Sequence, residues 1–376
     1  MANKKSTPLN PFLVTGYFSP DYFCDREQET TKLISALQNG RNVTLMSPRR
    51  LGKTGLILHT FHRLQTQSDV RCYYVDLYKT DSLSSFVKQL ANVILGSLDT
   101  TQEKIINQVT AFFKSLRPLF SLDSLSGVPT FSVDVIPELA EISLAEIFSY
   151  MEQSSKHCIV AFDEFQTIAD YDDKNVEAVL RSYIQQLTSV QFIFSGSRRH
   201  VLESMFASAN RPFYQSTQLM HLHEIPEQAY YQFAEEKMAA HNQQLPAEVF
   251  SYLYERLSGH TWYIQMLLNR MYESAVPLFS IDMVNQTINE ILNENEATFQ
   301  TFLRLITPAQ AKLLKAIAQE RTARKILGQT FIQKYHLGAS STVKSGIKSL
   351  VEKEMVLDNL GSYEVYDRFF GLWLTR

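Results

Sequence analysis

The stretch Val43-Thr-Leu-Met-Ser-Pro-Arg-Arg-Leu-Gly-Lys-Thr-Gly-Leu-Ile-Leu58 decides how the rest of the chain is read. Val43, Thr44, Leu45 and Met46 make a short run of buried-strand type, Ser47 to Gly52 a tight loop, and Lys53-Thr54 open a helix of apolar periodicity. A strand, loop and helix in that order turn the unpartnered N–H groups of the helix N-terminus towards whatever the loop encloses, and that favours an anion. Gly52 lets the backbone come close, Lys53 brings a compact positive charge to outer phosphates, and Thr54 offers a hydroxyl to Mg²⁺. The expected phosphate-binding residues are Ser47, Pro48, Arg49, Arg50, Leu51, Gly52, Lys53, Thr54 and Gly55. Ser47 stands where the usual pattern has its first glycine.

A second apolar run, Ile159-Val-Ala-Phe162, is of the kind expected for a central parallel strand covered on both faces, and it ends in Asp163-Glu164. A carboxylate at the carboxyl end of a strand beside a phosphate loop holds Mg²⁺, the role expected of Asp163 together with Thr54. The next carboxylate, Glu164, is placed to orient or deprotonate an attacking water. Val190 to Phe194 reads as a further buried strand running into Ser195-Gly-Ser-Arg-Arg199, where Ser197 and Arg198 are expected to sense a γ-phosphate. Arg211 is a weaker candidate cation. A helix is expected over Asp25 to Gln38, and Phe23 and Arg26, which precede the phosphate loop by a few turns of chain, are candidates to pack on the nucleotide base.

At 376 residues the chain is long for one compact unit, and two or three domains are the prior. Hydrophobic residues at 45% and charged residues at 20% describe an ordinary globular composition, and the net charge of −3 gives no global attraction to nucleic acid or anionic membrane. Cys24, Cys72 and Cys158 are odd in number and lack metal-type spacing, as expected of reduced cysteines in a cytoplasmic protein. No stretch approaches the roughly 18 apolar residues of a membrane span.

Residues 1–20 read as an extended lead-in, Val70 to Leu77 as a strand, residues 81–156 as mostly helical with a loop near Ser121 to Pro129, and Lys174 to Leu187 as a helix. From Pro226 the strand signal fades into four helical segments, Pro226 to His241, Pro246 to Leu257, Thr261 to Ser274 and Ile281 to Leu305. The last segment has three helices, Thr307 to Gln319, Gly328 to Tyr335 and Ser341 to Lys353. They are followed by a hairpin around Asn359-Leu-Gly361, which makes a winged helix-turn-helix. In the third helix Val343, Ile347, Leu350 and Val351 form the buried stripe, leaving Lys344 and Lys348 outside. Residues 306–376 hold eleven Lys and Arg against six Asp and Glu, a net of +5 that leaves −8 for the rest of the chain. Such a basic helix suits DNA phosphates, and it also suits a protein contact or regulatory lid.

The ordered set Phe23-Cys-Asp-Arg-Glu27, Ser47 to Thr54, Ile159 to Gln166, Phe192 to Ser197, Gly259-His-Thr-Trp-Tyr263 and Tyr366 to Trp373 resembles the prokaryotic archaeal-type ATPases. That family belongs to the P-loop NTPases, AAA+-related and of the STAND group. The resemblance implies an α/β fold with an AAA+-like parallel-sheet core over residues 1–222. A helical lid subdomain over 223–305 and a winged helix over 306–376 would follow. It implies ATP and Mg²⁺ as cofactors and a slow ATPase switching between ATP- and ADP-bound arrangements, with Lys53 and Glu164 in the catalytic positions. A DNA-binding regulator whose nucleotide tunes the winged helix is the alternative. Thr261 stands where the family usually has a proline near the adenine.

Overall fold

In the computed structural model residues 8–66, 69–96, 113–122, 129–274 and 276–376 are described. The chain forms two compact units. One is Thr15–Ile225; the other is Pro226–Arg376 together with the segment that precedes Thr15.

The first unit runs α1 (Glu27–Gln38), β1 (Val43–Met46), α2 (Lys53–Gln65), β2 (Val70–Asp76), α3 (Leu83–Gly96), β3 (Leu116–Leu122), β4 (Pro129–Val135), α4 (Ala140–Glu152), β5 (His157–Asp163), α5 (Val176–Ile184), β6 (Val190–Gly196), α6 (Arg199–Ala207) and β7 (Gln218–His221). Its main sheet has the order β2-β5-β6-β1-β7, every pairing parallel. Every residue of β1 and β6 is buried, so their apolar runs do not alternate. Successive side chains still part to opposite faces. Val160, Phe162, Phe192 and Phe194 enter a core with α3, α4 and α5, while Leu45, Ile159, Ala161 and Ile193 enter another with α1 and α2. The parallel rings of Phe162 and Phe192 lie 5.9 Å apart. That packing fixes neighbouring strand ends, and Asp76 aligns with Asp163 and Met46 with Gly196.

The sheet departs from the sequence reading in two places. Within the stretch expected to be helical, Leu116–Leu122 and Pro129–Val135 pair as an antiparallel hairpin. Leu116, Val133 and Val135 lie buried in the core shared with α3, and Lys88 of α3 grips Asp134 at 2.7 Å. The alternation of the hairpin is short and broken by Pro118, so it does not stand out against the helical spacing on either side. Part of the loop expected near Ser121 to Pro129 lies outside the described residues. The second departure is β7, which was not expected. Only Met220 of its four residues is buried, so this edge strand carries no apolar run to announce it.

The second unit begins with α7 (Glu227–Ala239), α8 (Ala247–Arg256), α9 (Thr261–Glu273), α10 (Ile281–Glu294) and α11 (Glu296–Arg304). Pro226 and Pro246 are the N-caps of α7 and α8. The single helix expected over Ile281 to Leu305 is broken at Asn295, whose side-chain amide donates to the Ile291 carbonyl at 2.8 Å and so competes with the helical backbone. Next come α12 (Pro308–Glu320), β8 (Ala323–Arg324), α13 (Gln329–Lys334), α14 (Ser340–Glu352), β9 (Val356–Asp358), β10 (Ser362–Val365) and α15 (Arg368–Trp373). The three strands pair in the order β8-β10-β9, which makes a winged helix. A capping box of Thr307 and Gln310 starts α12. On α14 Val343, Ile347 and Leu350 are buried, Val351 is half-buried, and Lys344 and Lys348 are exposed.

Residues 8–14 pack within this second unit. The Phe12 ring is fully buried with its edge towards Phe233 and Tyr272, and its carbonyl accepts from the Asn269 amide at 2.7 Å. Asn10 donates in return to the Asn269 carbonyl, and the Trp262 indole N–H donates to the Val14 carbonyl. Phe12→Ala is expected to remove about 3–5 kcal/mol from this unit. Hydrogen exchange will then quicken in α7 and α9, while the parallel sheet exchanges as before.

Candidate functional site

The site is built where the carboxyl ends of β1, β5 and β6 come together, the place where an open parallel sheet leaves a crevice. After β1 the backbone turns through Arg50 (φ +67°) and Gly52 (φ +94°) and enters α2 at Lys53. The left-handed conformation at Gly52 is the one that a glycine adopts without strain. The Lys53 ammonium is folded back on its own loop, donating to the carbonyls of Ser47 (3.0 Å) and Pro48 (3.1 Å). Burial pulls its pKa down to about 8, against the opposing pull of Asp163 and Glu164.

Asp163 collects four hydrogen bonds. Thr54 Oγ1 (2.7 Å) and the Tyr74 hydroxyl (2.6 Å) donate to Oδ2, and Ser195 Oγ (2.8 Å) and the Glu164 amide (3.0 Å) donate to Oδ1. Burial and this carboxylate raise the Tyr74 pKa far above its ordinary value, so the phenol stays protonated and donates. The Thr54 hydroxyl and the Asp163 carboxylate are hard oxygen donors side by side, the donor pair that suits Mg²⁺ when phosphates supply the remaining ligands. Among the described residues there is no group of three His, Cys, Asp or Glu that would hold a metal without such a partner.

Glu164 has φ +54°, an uncommon backbone for a non-glycine residue and one that gathers at functional sites. Its Oε2 accepts from Gln166 Nε2 (2.5 Å) and Ser197 Oγ (2.8 Å), and Ser197 Oγ in turn accepts from Arg49 Nε (2.9 Å). One continuous network therefore joins the phosphate loop, the end of β6 and the Glu164 carboxylate. Gly196 is required at its centre, because a Cβ there would lie 1.8 Å from Gln166 Oε1.

Lys53, Thr54, Asp163, Glu164 and Ser197 come together at these strand ends. Arg198 does not join them: it pairs with Asp170, and the guanidinium bound to Ser197 is that of Arg49. Arg211 pairs with Glu177 instead. Arg26, only 2% exposed, donates to the Leu51 carbonyl and to Glu29, so it braces the loop from behind. Phe23 stacks on His59 of α2 at 4.4 Å, and a Cβ on Gly55 would lie 3.2 Å from its ring. Tyr74, Ser195 and Gln166 were missed. Ser195 and Gln166 sit beside residues that were singled out, but nothing in the sequence around Tyr74 separates a strand-end tyrosine at the site from one in a core.

The Lys53 shift has a sign that can be tested. Between about 8 and 10.5 the unfolded chain holds the Lys53 proton more tightly than the folded one, so the penalty for burying the charge is full below about 8 and is relieved as pH rises towards 10.5. Relative to Lys53→Met, the parent protein is expected to gain stability over that window, on the order of 3 kcal/mol. Paired denaturant titrations at pH 7.5 and 10 measure the difference.

Residues 23–267 match the family described as an ATPase domain predominantly from Archaea, and residues 297–376 match a winged helix domain family. None of the curated proteins matches. Among solved structures, the Walker-type ATPase paby2304 of Pyrococcus abyssi is similar, with TM-score 0.66, 16% identity and 97% of this chain and 99% of that one covered. The Aeropyrum pernix ORC2 protein, in ADPNP-ADP complexes, gives 0.55 at 15% identity, covering 96% of each chain. The Aeropyrum pernix ORC1 protein in complex with DNA gives 0.52 at 15% identity, covering 98% and 96%. At such identities these structures speak for the fold alone, but the family match covers well over half of the sequence, and the chain belongs to the family of ATPase domains found predominantly in Archaea, here carrying a C-terminal winged helix.

Proposed function

We propose that the protein is a Mg²⁺-dependent ATPase that hydrolyses slowly and works as a nucleotide-driven conformational switch, with residues 15–222 as the catalytic core, 223–305 as a helical lid on which residues 8–14 pack, and 306–376 as the effector domain. The observation that carries this reading is the network from Arg49 through Ser197 to Glu164. It ties the residue placed to activate water to the loop placed to hold phosphate. Lys53 leaves the Ser47 and Pro48 carbonyls for the phosphates, and α2 directs its free N–H groups at the same anion. Thr54 and Asp163 would hold Mg²⁺, which neutralises charge on the phosphates. Glu164, once released by Ser197 and Gln166, orients the attacking water, and Ser197 is then free to donate to the γ-phosphate. Arg49 takes the cationic role expected of Arg198.

Single-turnover mixing of excess protein with trace labelled ATP and Mg²⁺ tests this. Glu164→Gln is expected to retain ATP while turnover drops by about 10²-fold or more. Lys53→Ala is expected to lose nucleotide. Normal turnover in Glu164→Gln would overturn the assignment of the base.

A second reading, nucleotide-tuned binding of duplex DNA, is favoured by the exposure of Lys344 and Lys348 on α14 of a winged helix. It expects salt-sensitive duplex binding in a gel-shift titration, weakened when both lysines are made Ala, with the salt slope reduced by up to about 2. Unchanged affinity in the double variant removes it.

A further inference from the structure

A cavity of about 250 Å³ opens in the second unit at the seam between the helical segment and the winged helix. Arg256 from the end of α8, Arg321 just after α12 and Arg368 at the start of α15 all line it, together with Ser258, Gln319 and Thr375, and the rest of the wall is aliphatic. No Asp or Glu lines it. Glu255 pairs with Arg321 at 3.2 Å and Glu364 with Arg368 at 2.6 Å, both from outside the wall. Arg256 has no carboxylate or hydrogen-bond partner among the described residues, and the buried Nε–H groups of Arg256 and Arg368 find no acceptor.

Glu255 and Glu364 offset Arg321 and Arg368, which leaves the Arg256 guanidinium as the uncompensated charge at the cavity, and a buried donor without an acceptor costs roughly 1–3 kcal/mol. The backbone adds to that cost. Arg321 has φ +58° and ψ −55°, and Thr322 N donates to the Glu320 carbonyl at 2.6 Å, the strained form of γ-turn. Ser258 is also left-handed, at φ +54°. Non-glycine residues held in such conformations gather at ligand clamps.

We infer that this cavity is a second ligand site, distinct from the nucleotide crevice, that binds the phosphate or carboxylate group of a small molecule. A guanidinium fork matches such an oxyanion through two parallel N–H···O bonds, and Ser258, Gln319 and Thr375 supply neutral donors around it. A ligand seated there touches α8 on one side and α12 and α15 on the other, so it ties the helical segment to the winged helix.

The test uses the full chain and two probes, inorganic phosphate followed by ³¹P line broadening and malonate followed by calorimetry. Lys53→Met serves as background, so that phosphate in the nucleotide crevice does not contribute. Broadening is expected to persist in Lys53→Met and the apparent affinity to fall roughly tenfold or more on adding Arg256→Gln or Arg321→Gln. Arg321 is more than half exposed, so its variant is expected to fold whatever Arg256→Gln does. Arginine-dependent binding of malonate in place of phosphate assigns a carboxylate ligand. Binding of neither probe, binding of equal strength in both arginine variants, or displacement of phosphate by a short DNA duplex overturns the inference.

Discussion

The carboxylate of Asp163 is the point on which the site depends. It is 5% exposed, and four donors from three strand ends and the first turn of α2 neutralise its lone pairs. Those four bonds satisfy the buried carboxylate and tie the strand ends and the first turn of α2 to one another. The stacked phenylalanines below it bring β5 and β6 to the same height, and the carboxylate turns that alignment into chemistry. Packing and polar satisfaction here support each other.

Lys53, Asp163 and Glu164 are each engaged by groups of the chain itself. Lys53 is held by loop carbonyls and Glu164 by Ser197 and Gln166. A ligand must therefore exchange bonds and cannot simply add them, so its net affinity depends on how much better phosphates satisfy Lys53 than two carbonyls do. The free energy of that exchange bears on Glu164, because Arg49 and Ser197 connect the two ends. The reading of the protein as a switch gains its physical content from this coupling.

Much of this was legible in the sequence because buried parallel strands carry unbroken apolar runs. Val43 to Met46, Ile159 to Phe162 and Val190 to Phe194 announced themselves, and the polar residues at their ends followed. The edge strand β7 and the β3–β4 hairpin did not, since half-exposed strands lack such runs. The two-residue β8 is too short to leave any signal. At the site, residue types were readable and directions were not. Arg198 and Arg49 are equally plausible cations in the sequence, and only the rotamers send one to Asp170 and the other to Ser197. The cavity between α8 and α15 lay beyond reach, because its three arginines are spread over more than a hundred positions.

The burial of Phe12 gives the chain the topology of an insertion. The segment ending at Val14 and the run from Pro226 belong to one unit, and Thr15–Ile225 is threaded between them. The folded unit that bears the winged helix is thus discontinuous in the gene. A fragment cut at Pro226 would begin at a tidy helix cap yet lack an aromatic ring around which its own core is packed. During synthesis residues 8–14 must wait for more than two hundred others before their partners exist.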